Sequence, residues 1–515
     1  MGWRNGFAAT CAALLTVLAG SAAAGDIVHI TQGDLAGVTA ADVESFKGLP
    51  FAAPPVGDLR WRPPAPGPSW TGVKQAGDFG PSCLQPPTGG FFAPGPMSED
   101  CLTLNVWRPA GTKPGAKLPV MVWIYGGAFL LGSSAAPLYD GTRFAEKGVI
   151  LVSFNYRLGR FGFFAHPALD SGPGPVGDYG FMDQIAALKW VQGNIAAFGG
   201  DPANVTVFGE SAGAQAVNYL MGAPAARGLF AKAIAESGFG RVGARALKGA
   251  GSAESVGESF AKAHGVTGDD AAAATALRAL PASAINGPLT AIGDPASPGP
   301  ILDGQIVPET TAQAFARGDE AHVPYLEGGN SYEASLLPHA VDFPMITIAK
   351  IGDPDAVIAA YGRKEPAEVA REVLTDFMIT EPDRYLARQM TRQGLPAFVY
   401  HFSYVPASLR ASSFGAAHGA EVPYVFGNLL DKPLTFAGKT IPAATPADRQ
   451  ISDAMQAYWV AFAKTDDPGA AGGPAWPRVL AGDDVALEFG ADGVNVRHAY
   501  DKLHLDMIEA AGAGK

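Results

Sequence analysis

The chain has 515 residues, a formal net charge of −12 and a pI near 5.2, which excludes the basic footprint of a nucleic-acid or anionic-membrane binder. With 48% apolar and 17% charged residues it is neither a disordered chain nor a coiled coil. Its length accommodates one large α/β domain with insertions, the favoured reading, or two domains.

Taken in order, Arg4 precedes an apolar stretch from Phe7 to Leu18, and Ser21-Ala-Ala-Ala24 offers small residues for cleavage before Gly25. That pattern predicts a secretory signal peptide over 1–24, since the apolar core falls short of the roughly 20 residues a bilayer span requires. Residues 25–515 are then a secreted or periplasmic domain with no integral membrane segment left. Of three cysteines, Cys11 leaves with the signal, so Cys83 and Cys101 remain to pair as a disulfide in an oxidising compartment.

Ile27–Thr31 and Gly33–Val38 read as a hairpin, and proline-rich Leu49–Ser69 as a surface traverse without ladder bonds. Ser98–Trp107 alternates like a strand, while Leu118–Tyr125 and Val149–Phe154 are apolar runs of strand length. Gly180–Phe198 has helical spacing. Val205–Phe208 then reads as a buried strand that stops at Gly209-Glu-Ser-Ala-Gly213, followed by a helix over Ala212–Met221. Strand, tight turn and helix are the setting of a nucleophile elbow, in which small neighbours let the backbone turn and hold a serine hydroxyl out at the top of a sheet.

Phe230–Ala235 is a further strand, and 241–300 a helical excursion covering the sheet. Val323–Leu326 reads as a short strand ending at Glu327-Gly-Gly-Asn-Ser-Tyr-Glu333. Helical material over Pro366–Gln393 leads to a strand at Ala397–Tyr404, a loop carrying His418 and a late helix at Ser452–Lys464. Strands alternating with helices predict an α/β fold with a central, mostly parallel sheet flanked by helices.

A serine at an elbow needs a base, an acid to orient it, and donors for the developing oxyanion. In the α/β-hydrolase arrangement these follow in chain order serine, acid, histidine, which tests the nine histidines. His29 and His166 precede Ser211; His264 lies in the helical excursion; His322 starts a strand; His339 stands too near the acid; His401 sits inside a strand. His418, in Gly415-Ala-Ala-His-Gly-Ala-Glu421, fits best as general base, with His498 and His504 as alternatives. Glu333 is the expected acid, and its rival Glu327 reads otherwise as a strand-end surface carboxylate. The Gly126-Gly127-Ala128 turn and the amide of Ala212 are the expected oxyanion donors. The chain lacks H-E-x-x-H, and two mature cysteines cannot build a cysteine-rich zinc site, so the chemistry calls for neither metal nor organic cofactor.

Ser98-Glu-Asp-Cys-Leu-Thr-Leu-Asn-Val106, Tyr125-Gly-Gly-Ala-Phe129, Phe198-Gly-Gly-Asp-Pro through Gly213, Pro300-Ile-Leu-Asp-Gly304 and the His418 segment together resemble the type-B carboxylesterase/lipase family, which includes cholinesterases and bacterial para-nitrobenzyl esterases. The likeness runs from about residue 27 to about 505. It implies an α/β-hydrolase fold with helical insertions over the site, and a small-molecule ester substrate. It also implies a triad of Ser211, Glu333 and His418, an oxyanion hole at Gly127, Ala128 and Ala212, and a Cys83–Cys101 disulfide. Glu210, Ser237 and Glu421 match positions that support the site in relatives. In cholinesterases the disulfide loop carries a tryptophan that binds quaternary ammonium; here Leu84–Asp100 has only Phe91 and Phe92, which argues against choline esters. The reading to be tested is thus a serine carboxylesterase, against a catalytically silent binding module of the same fold, an amidase, or a lipase with a lid.

Overall fold

The computed structural model describes residues 23–87, 92–170, 174–241, 243–287, 296–337, 342–362, 364–436 and 439–512. The signal segment expected at 1–24 lies outside these residues save its last two positions, as do Cys11, Phe91 and His339.

A sheet of 13 strands organises the chain. Its strands are β1 (Ala23–Ile30), β2 (Gly33–Ala40), β3 (Val43–Pro50), β4 (Val73–Gln75), β5 (Thr103–Pro109), β6 (Leu118–Ile124), β7 (Ile150–Phe154), β8 (Gly200–Glu210), β9 (Lys232–Glu236), β10 (Tyr325–Asn330), β11 (Ala397–Phe402), β12 (Val485–Gly490) and β13 (Gly493–His498). The order is β1-β2-β3-β5-β7-β6-β8-β9-β10-β11-β12-β13, with β4 beside β2. The run from β7 through β6, β8, β9, β10 and β11 to β12 is parallel, and antiparallel pairs close both ends.

The central strands carry apolar residues at successive positions because helices cover both faces, so neither face meets water. Val120–Tyr125 and Ile150–Val152 have no exposed surface. Helix α1 (Tyr179–Asn194) packs on β8, α2 (Ala212–Gly222) on β8 and β9, and α4 (Glu381–Arg392), preceded by α3 (Pro366–Thr375), on β10 and β11. Helix α5 (Pro446–Thr465) lies against β6 and β8.

Three expectations need correction. The alternating segment 98–107 is broken: Ser98 belongs to a two-residue strand with Met97 that pairs with Ser82–Cys83, and the sheet strand begins at Thr103, with Leu104–Arg108 buried throughout because β5 is sandwiched like its neighbours. The strand expected to end at Leu326 runs on through Glu327-Gly-Gly-Asn330 and is buried along its whole length. Glu327 is therefore an interior group with no exposed surface, in register with Val399 of β11, and not a surface carboxylate. Strands β12 and β13 were not expected; the Asp492-Gly493 pair that joins them is a hairpin signal.

Parallel strands open their carboxyl ends along one edge, where a ligand crevice forms. Glu210 ends β8 directly opposite Glu236, which ends β9, and Asn330 ends β10 two strands from Glu210. This edge gathers the site.

Candidate active site

Ser211 occupies the turn between β8 and α2 with φ 58° and ψ −124°, a conformation unusual for any residue but glycine. Its amide donates to Glu236 O at 2.8 Å, so the next strand fixes the strained backbone. The flanking glycines are required by contact: a Cβ on Gly209 would stand 2.6 Å from Ile124 O, and one on Gly213 2.0 Å from the same oxygen. The end of β6 thus runs hard against the elbow, and only hydrogen fits there.

The turn after β6 supplies main-chain donors. Ala128 has φ 55° and Phe129 φ 60°, and Gly127 O accepts from the amides of Leu130 and Leu131. Among the described residues the amides of Gly127 and Ala128 have no acceptor. Ala212 is the first residue of α2, where an amide has no acceptor within the helix.

His418 and Glu333 meet from neighbouring loops. His418 Nδ1 is 2.5 Å from Glu333 Oε2, while Glu333 Oε1 accepts from Ser237 Oγ at 2.5 Å and from the Asn330 amide at 2.6 Å. Glu333 has no exposed surface, so these donors satisfy a carboxylate that burial would otherwise penalise. The far ring nitrogen, Nε2, is buried, makes no hydrogen bond among the described residues, and stands 3.2 Å from Glu210 Oε1. No hydrogen bond joins it to Ser211 Oγ, although Glu210 is the residue next to Ser211 in the chain. The ring of Phe239, half-buried, lies 6.0 Å from the imidazole.

Burial opposes a charged imidazole, but the carboxylates of Glu333 and Glu210 outweigh it and lift the His418 pKa to about 9. Burial raises Glu210 to about 7, with His418 pulling the other way. Burial, then the charges of Glu210 and Glu333, raises Glu421 to about 8. Glu421 accepts from Asn330 Nδ2, which also donates to Ala417 O at 2.9 Å. Glu236, raised well above its ordinary value by burial, takes the indole N–H of Trp459 at 2.8 Å.

Of the expected residues, Glu210, Ser237, Glu333, His418 and Glu421 therefore form one bonded or contacting cluster beside Ser211. Cys83 and Cys101 are joined as a disulfide with Cα atoms 5.0 Å apart. His401 is packed in β11 and takes a contact from Tyr500 OH at 2.6 Å; exposed His498 ends β13, and His504 stacks on Tyr361. Among the described residues, none of these three pairs with Glu333. Sequence reasoning missed Asn330 and Glu236. The available signal was that Glu236-Ser237-Gly238 repeats, at the end of β9, the Glu-Ser step that ends β8.

Among the described residues no helix is long and apolar enough to cross a membrane, and no group of three or more His, Cys, Asp or Glu is arranged to hold a metal ion.

A model of the carboxylesterase family matches residues 24–345 and 360–508. The chain is 39% identical over 477 residues to a fumonisin B1 esterase of Sphingopyxis macrogoltabida, covering 87% of this chain and 84% of that one. It is 36% identical over 462 residues to a para-nitrobenzyl esterase of Bacillus subtilis, covering 86% and 90%. Among solved structures, a carboxylesterase of Geobacillus stearothermophilus superposes with a TM-score of 0.79 at 32% identity, over 94% of this chain and 99% of that one.

Proposed function

The chain belongs to the carboxylesterase family and is a carboxylic ester hydrolase with an α/β-hydrolase fold, and from that premise we propose that it works through an acyl-enzyme on Ser211. Ser211 Oγ attacks the ester carbonyl as His418 Nε2 takes its proton, and the oxyanion settles on the amides of Gly127, Ala128 and Ala212. The tetrahedral adduct collapses, and His418 returns the proton to the departing alcohol. Water then attacks the acyl-serine with His418 again as base, releasing the acid and restoring Ser211. Glu333 holds the imidazole with its free nitrogen toward the serine and stabilises the imidazolium formed in each half-reaction.

The observation that carries this reading is the Glu333–His418 pair, 2.5 Å apart, whose free ring nitrogen stands 3.2 Å from Glu210, the residue before a strained Ser211, beside a turn that leaves amides unspent. The gap between Nε2 and the serine closes on substrate binding, since such bonds are often long before a ligand is present. Glu210, Ser237 and Glu421 act from behind: Ser237 fixes the acid, and Glu210 and Glu421 set the charge around the ring. The same reading includes export of the mature chain by the 1–24 segment.

Two relatives are named for fumonisin B1 and para-nitrobenzyl esters. A soluble ester with a bulky alcohol is accordingly the substrate class proposed here, with Phe239 walling the acyl or alcohol side beside His418. The test is hydrolysis of p-nitrophenyl acetate against longer acyl esters, with Ser211→Ala as control. Turnover abolished by that substitution supports the mechanism. No turnover under any condition would point to a silent binding module, and preference for emulsified long chains to a lipase.

A further inference from the structure

Resting on the Ser211–His418–Glu333 reading, we infer that Ser335 is a positioning residue: its hydroxyl fixes the backbone of His418 so that the imidazole is presented to Glu333 and Ser211 in one orientation. Ser335 lies on the same single 3-10 turn, Glu333–Leu336, that supplies the acid. Its Oγ accepts from the His418 amide at 2.9 Å, while Glu333 Oε2 stands 2.5 Å from Nδ1 of the same residue. One turn therefore grips the histidine twice, at main chain and at ring. Two grips define a rotation axis that either alone leaves free.

The turn is itself held. Thr375 Oγ1, at the end of α3, accepts from the Ala334 amide at 3.2 Å, between the two gripping residues. The loop ahead of His418 is tied to the same segment: Ala416 N donates to Ser331 Oγ at 2.9 Å, and Tyr332 N donates to Ala416 O at 2.8 Å. Asn330 Nδ2 adds a tie at Ala417 O, 2.9 Å away, on the carbonyl side of the peptide that precedes His418, and the Ser335 bond is the one that reaches His418's own amide. Without it, that half-buried donor has no described acceptor, and the peptide leading into His418 is held at its carbonyl alone. Catalytic geometry tolerates little of this, because misplacement by about 1 Å costs on the order of 100-fold in rate.

The experiment compares kcat, KM and pH–rate profiles of the full chain carrying Ser335→Ala, Ser335→Cys or Ser335→Thr, beside Ser211→Ala. The expected result for Ser335→Ala is a fall in kcat of about tenfold with KM within about twofold, since the serine hydroxyl touches the base's backbone and not the substrate. The acidic limb of its profile should also move, because a looser ring meets Glu333, Glu210 and Glu421 at altered distances. Ser335→Cys keeps the volume but offers a weak acceptor, so it should lose activity equally even if the alanine variant folds poorly. Ser335→Thr, which restores a hydroxyl, should recover most of the loss. Unchanged kcat and pH limb in both the alanine and cysteine variants, with Ser211→Ala inactive, would overturn this inference alone. An active Ser211→Ala would overturn the mechanism and this inference with it.

Discussion

Replacing Glu210 by glutamine keeps the shape of the side chain and removes the negative charge that stands 3.2 Å from His418 Nε2. At that distance the gross attraction is about 5 kcal/mol at an effective dielectric constant of about 20. Much of it is offset by the burial that raises Glu210 to about 7, so this carboxyl is only partly ionised near neutrality. A nearby opposite charge in this setting moves a pKa by about one to two units, or about 1.4–2.7 kcal/mol. His418 is raised to about 9 against its burial by Glu333 and Glu210, and in its proposed role as base it acts only when neutral. The variant's acidic limb in kcat/KM should therefore lie about one to two pH units lower than the parent's. The weaker base should also lower the plateau above that limb, by about three- to tenfold. The assay is p-nitrophenyl acetate hydrolysis from pH 5 to 10 with both enzymes, buffers matched for ionic strength. A limb that stays within about 0.3 unit, or moves upward, refutes the assignment of Glu210 as the group that charges the ring.

Ser211→Ala should reduce kcat by about 10⁴-fold or more with the fold intact by circular dichroism. Gly213→Ala places a methyl 2.0 Å from Ile124 O, where backbone must yield, and should destabilise the fold by about 3 kcal/mol in urea denaturation, or prevent soluble expression. Glu210 and Glu421 have folded pKa values of about 7 and 8, above their unfolded value of 4.5, so the fold holds their protons more tightly. Their contribution to stability is then complete below pH 4.5 and is lost as pH rises through 7 and 8. Melting temperature should accordingly fall across that window, and Glu421→Gln should flatten the fall. Changing both Cys83 and Cys101 to serine opens a loop of sequence separation 18 and should cost about 3 kcal/mol, read as a drop in denaturation midpoint.

The parts of this site that were legible in the sequence are those whose chemistry demands a local pattern. The elbow is such a case, because two glycines must flank a serine wherever a neighbouring strand leaves no room for a Cβ. The Gly126-Gly127-Ala128 turn is another, since its shape is written in small residues. Glu333 and His418 were reachable by chain order and by elimination among the histidines. What escaped was set by register across the sheet. Nothing local to Glu327 states that β10 continues four residues beyond Leu326, because Glu-Gly-Gly-Asn has the composition of a loop and becomes strand only between β9 and β11. Likewise Asn330 binds Glu333 through its amide and Glu421 through its side chain, a partnership spanning 91 positions that no local period encodes.

The proposed nucleophile and its proposed base are fastened by separate means. Ser211 is anchored in the middle of the sheet by β6 and β9, whereas His418 and Glu333 are laced to each other through the segments 330–335 and 415–418. Loops open at lower free energy than the strands that bear them. On gentle heating the enzyme should consequently fall silent while its far-ultraviolet dichroism still reports native sheet, and cooling should bring the activity back.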